Sequence, residues 1–214
     1  MQKLIVIILF IAGLGLEIRA DLPPEKSEKT ESDLLFIKSK GEVKLYENPD
    51  VGEDIRQYIA TLTMELDIEK IIALIQDETF ALSWIKGTCE YTDLTSGDRN
   101  WYSYIQFAPP WPLNHQDCIL HFTLSELNED KATIQFVNLP GYIPVKERTT
   151  RIKNFEGRWE LETINNSTTK VSFIMYSDVF TSSGLKKSII LNTILNSLAA
   201  LKEKATDREQ EIIL

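Results

Sequence analysis

Two histidines, two cysteines and nine glycines in 214 residues leave this chain short of the side chains that most catalytic and metal chemistry needs. His115, His121, Cys89 and Cys118 fit no structural zinc spacing. There is no Gly-x-Ser-x-Gly, no His-Glu-x-x-His and no phosphate-binding glycine loop. No catalytic residue, metal or cofactor is therefore expected. Positive charge is scarce as well: 23 Lys and Arg face 32 Asp and Glu, for a net charge of −9. Such a chain is repelled by phosphate backbones and anionic lipid surfaces, which excludes nucleic acid as an expected partner and speaks against a standing basic membrane patch. Long apolar runs are missing too, with one exception at the start. In MQKLIVIILFIAGLGLEIRA, residues 1–20, Lys3 precedes an apolar run from Leu4 to Leu16 and a small residue, Ala20, closes it. This is the pattern of a signal peptide, and the run is shorter than the roughly 20 residues that cross a bilayer. Export to a periplasmic or secreted destination is expected, with a mature chain one charge more negative. In such a compartment Cys89 and Cys118 are free to pair, a question the sequence leaves open.

What is present reads as one domain, at 43% hydrophobic and 26% charged residues. Residues 21–33, DLPPEKSEKTESD, are polar and without apolar period, and are expected to form a flexible leader. The folded unit spans 34–207, with a tail at 208–214. GEVKLYENP and DIRQYIATLTMEL read as two strands around an Asn-Pro-Asp turn. IEKIIALIQDETFALSWI then reads as a helix capped by Asp67. Seven strand candidates follow: GTCEYTDL, NWYSYIQF, QDCILHFTL, KATIQFVNL, ERTTRIKNF, GRWELETI and KVSFIMYSDVF. Turn-rich separators predict antiparallel neighbours, and NNST at 165–168 reads first as a tight turn. The chain closes on a helix whose Ile190, Leu191, Ile194, Leu195, Leu198 and Leu201 form one aliphatic stripe that must be covered. These parts make an α+β fold in which a curved antiparallel sheet wraps a long C-terminal helix. An internal apolar cavity and a fully packed core are equally compatible with the pattern.

Three strings carry a family resemblance. PWPLNHQD at 110–117, TTRIKNFEGRWEL at 149–161 and SDVFTSSGLKKSIILN at 177–192, in this order and spacing, resemble the START domain, the steroidogenic acute regulatory-related lipid transfer fold. The resemblance covers 34–205. It implies a helix-grip fold, a non-enzymatic lipid-binding function, and an apolar pocket lined by Leu120, Phe122, Ile134, Phe136, Trp159 and Phe173 on the sheet and by Ile190, Ile194 and Leu198 on the helix. Tyr104, Gln116 and Arg151 are the polar candidates beside them. START domains usually carry arginine where this chain has Gln116, so a buried charged pair at the pocket floor need not be assumed; Lys186 also stands where relatives often have proline. The loop at 138–148, NLPGYIPVKER, resembles the family's ligand-access loop and reads equally as an ordinary turn resting on the core. The implied partner is a lipid or other apolar small molecule, with transient membrane contact, and the protein is expected to be a monomer. An enzyme of the polyketide cyclase type in the same pocket and a protein-interaction module remain the alternatives.

The resemblance also gives a purpose to FAPPWPLNHQDCILHF at 107–122. Proline cannot donate to a ladder, so Pro109, Pro110 and Pro112 make a rigid corner between strands. That corner sets the phase of the strand after it. Gln116, Cys118, Leu120 and Phe122 are expected to face the pocket, with Asp117, Ile119 and His121 pointing away.

Overall fold

The computed structural model describes residues 33–50, 56–109, 114–177 and 185–213. The signal peptide, nearly all of the leader and the proline corner at 110–113, Trp111 included, lie outside the described residues.

The element order is β1 (Leu35–Lys40), β2 (Val43–Asn48), β3 (Arg56–Met64), α1 (Ile68–Gln76), α2 (Glu78–Trp84), β4 (Thr88–Thr95), β5 (Asn100–Phe107), β6 (His115–Leu127), β7 (Lys131–Asn138), β8 (Thr149–Arg151), β9 (Phe155–Asn165), β10 (Thr168–Ser177) and α3 (Leu185–Ile213). The sheet runs β1-β2-β3-β10-β9-β7-β6-β5-β4, with β8 attached to β6. Along that path every pairing is antiparallel. The expected antiparallel sheet and long C-terminal helix are both present.

Four local features differ from the sequence reading, each for a physical reason. The stretch read as one helix breaks at Asp77, whose carboxylate accepts the Phe80 amide at 3.0 Å and the Thr79 hydroxyl at 2.6 Å. A side chain that caps so well restarts a helix rather than continuing one. The segment read as a strand over 147–155 shortens to β8, three residues paired parallel to β6 with Asp117 opposite Arg151. An extra edge strand, β1, precedes the first expected one and carries a bulge between Phe36 and Lys38. Finally, α3 continues through 208–213, where a tail was expected. Its last turns are held by Arg208 to Asp77 at 2.7 Å and Lys70 to Glu209 at 2.5 Å.

Cross-strand register defines an inner face of the sheet. One row reads Leu45, Ala60, Phe173, Trp159, Ile134 and Leu124; the next reads Tyr58, Met175, Gly157, Phe136, Phe122 and Trp101. These rows form the sheet side of the core, α1 and α2 add Ile68, Ile71, Ile72, Ile75, Phe80 and Trp84, and the buried side of α3 contributes Leu191, Leu195, Leu198, Leu201 and Ala205. Gly157 marks the tightest point. A Cβ there would lie 2.1 Å from the Ile174 carbonyl oxygen and 2.8 Å from the Phe136 ring. Gly157→Ala is expected to lower unfolding stability by about 1–3 kcal/mol through overpacking, readable as a reduced denaturant midpoint.

Candidate functional site

The inner face is built largely of rings. Trp101 stacks on Phe122 at 4.9 Å, Phe122 meets Phe136 at 5.9 Å, and Phe136 meets Phe173 at 5.6 Å and Phe155 at 5.2 Å. Phe173 lies 4.4 Å from Trp159, which takes the edge of Trp84 from α2 at 6.1 Å. Strand alternation places these rings on one side, where Trp84 of α2 meets them and the buried side of α3 joins the same apolar cluster. Of the sheet residues predicted from the sequence, Leu120, Phe122, Ile134, Phe136 and Trp159 are buried here, and Phe173 is partly buried.

The cover is not uniform. On α3, Leu198 is 1% exposed, whereas Ile190 and Ile194 are only partly buried. The other partly buried apolar side chains of the inner core include Phe107, Phe155 and Phe173. Phe107 ends β5, Phe155 begins β9 and Ile190 lies near the start of α3, so they gather toward one end of the sheet, where α3 begins. Lys187 fixes that start by pairing with Glu47 at 3.6 Å and lying over the Tyr58 ring. Gln116 is at the same end, opposite Phe107 and half-buried, on the inner side as its alternation predicts.

The opposite end of the inner face, under α2, holds polar groups that the sequence reading missed. Tyr91 donates its hydroxyl to Ser103 Oγ at 3.2 Å, and Ser103 donates to Asp93 Oδ1 at 2.7 Å. The Asp93 amide in turn donates to Glu78 Oε2 at 3.1 Å. Burial pushes the Asp93 carboxyl up, against the Ser103 hydrogen bond and with help from Glu78 and Asp77. Burial likewise pushes the Tyr91 phenol up. The signal was available: in NWYSYIQF, Ser103 interrupts the inward row Trp101, Ile105 and Phe107 with a small polar residue.

Two predicted pocket residues belong elsewhere. Tyr104 pairs with Ile119 and Arg151 with Asp117, positions of the opposite parity, so both lie on the outer face. Arg151 Nε donates to Asp117 Oδ1 at 2.7 Å and Nη2 to Oδ2 at 3.0 Å, with both side chains buried. The same guanidinium donates to the carbonyls of Pro140, Ile143 and Pro144. It therefore pins the 138–148 loop to the back of the sheet. Burial and the neighbouring Asp117 push the Tyr104 phenol up, and Lys146 covers its ring at 4.4 Å. Tyr142 stacks on Tyr102 at 5.0 Å, and Tyr102 on His121 at 4.3 Å. Of the two readings of this loop, these contacts are those of a segment resting on the sheet. Cys89 and Cys118 are both free, one exposed and one buried.

A cleft of about 400 Å³ between the β1–β2 turn and α3 is a separate feature, lined by Lys40, Glu42, Lys202, Glu203 and Asp207 among others. Its charged rim sets it apart from the ring-lined inner face.

No family model matches the sequence. A protein of Pseudomonas aeruginosa described only as uncharacterised is 26% identical over 179 residues, covering 82% of this chain and 88% of that one. A STAR-related lipid transfer protein of Xanthomonas axonopodis superposes with a TM-score of 0.71 at 19% identity, over 81% of this chain and 99% of that structure. Human StAR-related lipid transfer protein 5 gives 0.69 at 11% identity, over 85% and 90%. The chain has the START helix-grip fold. At these identities the likeness is one of fold. An aromatase/cyclase from Streptomyces shares the START architecture more distantly, with a TM-score of 0.54 at 12% identity over 72% of this chain and 95% of that structure.

The chain has a buried charged pair, but not at the pocket floor, where Gln116 left none to be assumed. The pair is Arg151 with Asp117, and it serves the outer face rather than the pocket floor.

Proposed function

We propose that the protein binds, and carries, a lipid or other apolar small molecule between the inner face of the sheet and α3. The reading rests on the ring-lined inner face, with Phe107, Phe155 and Ile190 left partly buried toward the end where α3 begins, and Phe173 and Ile194 partly buried beyond them. Each methylene buried there contributes about 0.8 kcal/mol, so a short alkyl chain suffices for useful affinity. The two START-fold relatives named for lipid transfer support the reading. The test is displacement of a fluorescent apolar probe from the purified protein. Saturable binding, weakened by Ile190→Ser together with Ile194→Ser, is the expected result; no saturable binding would refute it.

Gln116→Arg gives a finer expectation. Gln116 is neutral and stands at the accessible end of the inner face, so the outer end of a ligand meets no fixed charge there in the native protein. An arginine there should shift preference toward fatty acids by about tenfold, from roughly 1–3 kcal/mol of charge-assisted hydrogen bonding. Competition of dodecanoate against dodecanol at equal folded fraction reads it. An unchanged ranking would remove Gln116 from the ligand's surroundings.

Export is part of the proposal and rests on residues 1–20. Intact mass of the protein from its own cells should correspond to a chain beginning at Asp21, and a retained Met1–Ala20 segment would refute it. A second reading, an enzyme acting on an apolar substrate, draws on the Tyr91, Ser103 and Asp93 chain and on the aromatase/cyclase neighbour. Under that reading a bound ligand changes mass on incubation; under the carrier reading it is recovered intact.

A further inference from the structure

The end of the inner face beneath α2 holds a buried donor without a hydrogen-bond partner among the described residues. Trp101 is 2% exposed, and its indole Nε1 has no hydrogen-bond partner among the described residues. It lies on the same face of β5 as Ser103, two residues on and 0% exposed. Tyr91 and Ser103 have already committed their hydroxyl protons, to Ser103 and to Asp93 respectively. A buried donor without an acceptor carries its full desolvation cost, so native structures usually supply the partner. None of the oxygens at this end accepts from Trp101 Nε1.

We infer that the apolar ligand carries a neutral oxygen at its inner end, a ketone, ester or hydroxyl, which accepts from Trp101 Nε1. The inference rests on the carrier reading and names its ligand class. A carboxylate or phosphate is excluded here by charge: Asp93 accepts from Ser103, and Glu78 accepts the Asp93 amide, so two carboxylates already stand at this end. A hydroxyl ligand fits best. Its oxygen accepts from the indole while its proton is donated to the Asp93 carboxylate or to Ser103 Oγ.

Four probes of equal chain length separate the outcomes: dodecane, a dodecanone, dodecanol and dodecanoate, each titrated by tryptophan fluorescence and by displacement of the fluorescent probe. The ketone and the alcohol are expected to bind about tenfold tighter than dodecane, the scale set by relieving one unsatisfied donor. Dodecanoate should bind no tighter than the alcohol. In Trp101→Phe, which keeps a ring to stack on Phe122, the ketone-to-alkane ratio should fall to near one. Asp93→Asn should weaken the discrimination against dodecanoate, a readout independent of Trp101→Phe folding. Equal binding of ketone and alkane by the native protein overturns the inference and leaves the carrier reading standing. Failure of all four to bind overturns both.

Discussion

Arg151→Ala is expected to cost about 3–5 kcal/mol of unfolding stability while leaving the apolar ligand's affinity unchanged. The cost arises because Asp117 is fully buried and its two short bonds to the guanidinium would be lost, stranding a carboxylate in a low-dielectric surround. The same substitution frees three loop carbonyls at Pro140, Ile143 and Pro144. Replacing both partners by apolar residues, as in Asp117→Leu with Arg151→Met, should recover most of the loss, since neither then leaves an unpaired charge. Urea unfolding reads the stability, and probe displacement reads the site. A loss of affinity in Arg151→Ala at full folded fraction would put Arg151 back in the pocket and contradict the register that places it outside.

Leu198→Asp and Ile194→Asp, four residues apart on α3, should behave differently. Leu198 is 1% exposed inside the core, and an aspartate there is an unpaired buried charge worth several kcal/mol. A domain with an ordinary margin of 5–15 kcal/mol would lose much or all of it. Ile194 is only partly buried, so its aspartate can reach water and should lower stability far less. That variant should instead lose ligand affinity, because the charge would sit against the alkyl chain. Thermal unfolding with parallel probe titration separates them. Equal destabilisation of the two would mean that the helix packs uniformly and offers no accessible end.

The contrast between these sites shows what the sequence carried. Period-two alternation in QDCILHFTL and the aliphatic stripe of IILNTILNSLAAL are local, so the inner face and its helix were legible residue by residue. Arg151 was misplaced because its side depends on a parallel pairing with β6 made by a three-residue strand, and no local pattern encodes that partner. Tyr104 lies outside for a related reason: its strand is legible in the sequence, but the cover that the loop at 138–148 gives it on the outer side is not. The break at Asp77 was written in the residue type, yet apolar residues at helical spacing continue across it. The polar chain of Tyr91, Ser103 and Asp93 depends on two strands in register and a helix above them, information that only the folded chain assembles.

Whether an apolar molecule lies between the inner face and α3 is decided by native mass spectrometry of the protein isolated from its own cells, followed by organic extraction and mass analysis of whatever is released. The expected result is a protein heavier than its polypeptide by one small molecule, which dissociates on activation and proves on extraction to be an apolar compound carrying a neutral oxygen. A protein that matches its polypeptide mass, with nothing apolar in the extract and no uptake of the dodecyl probes afterwards, would contradict it.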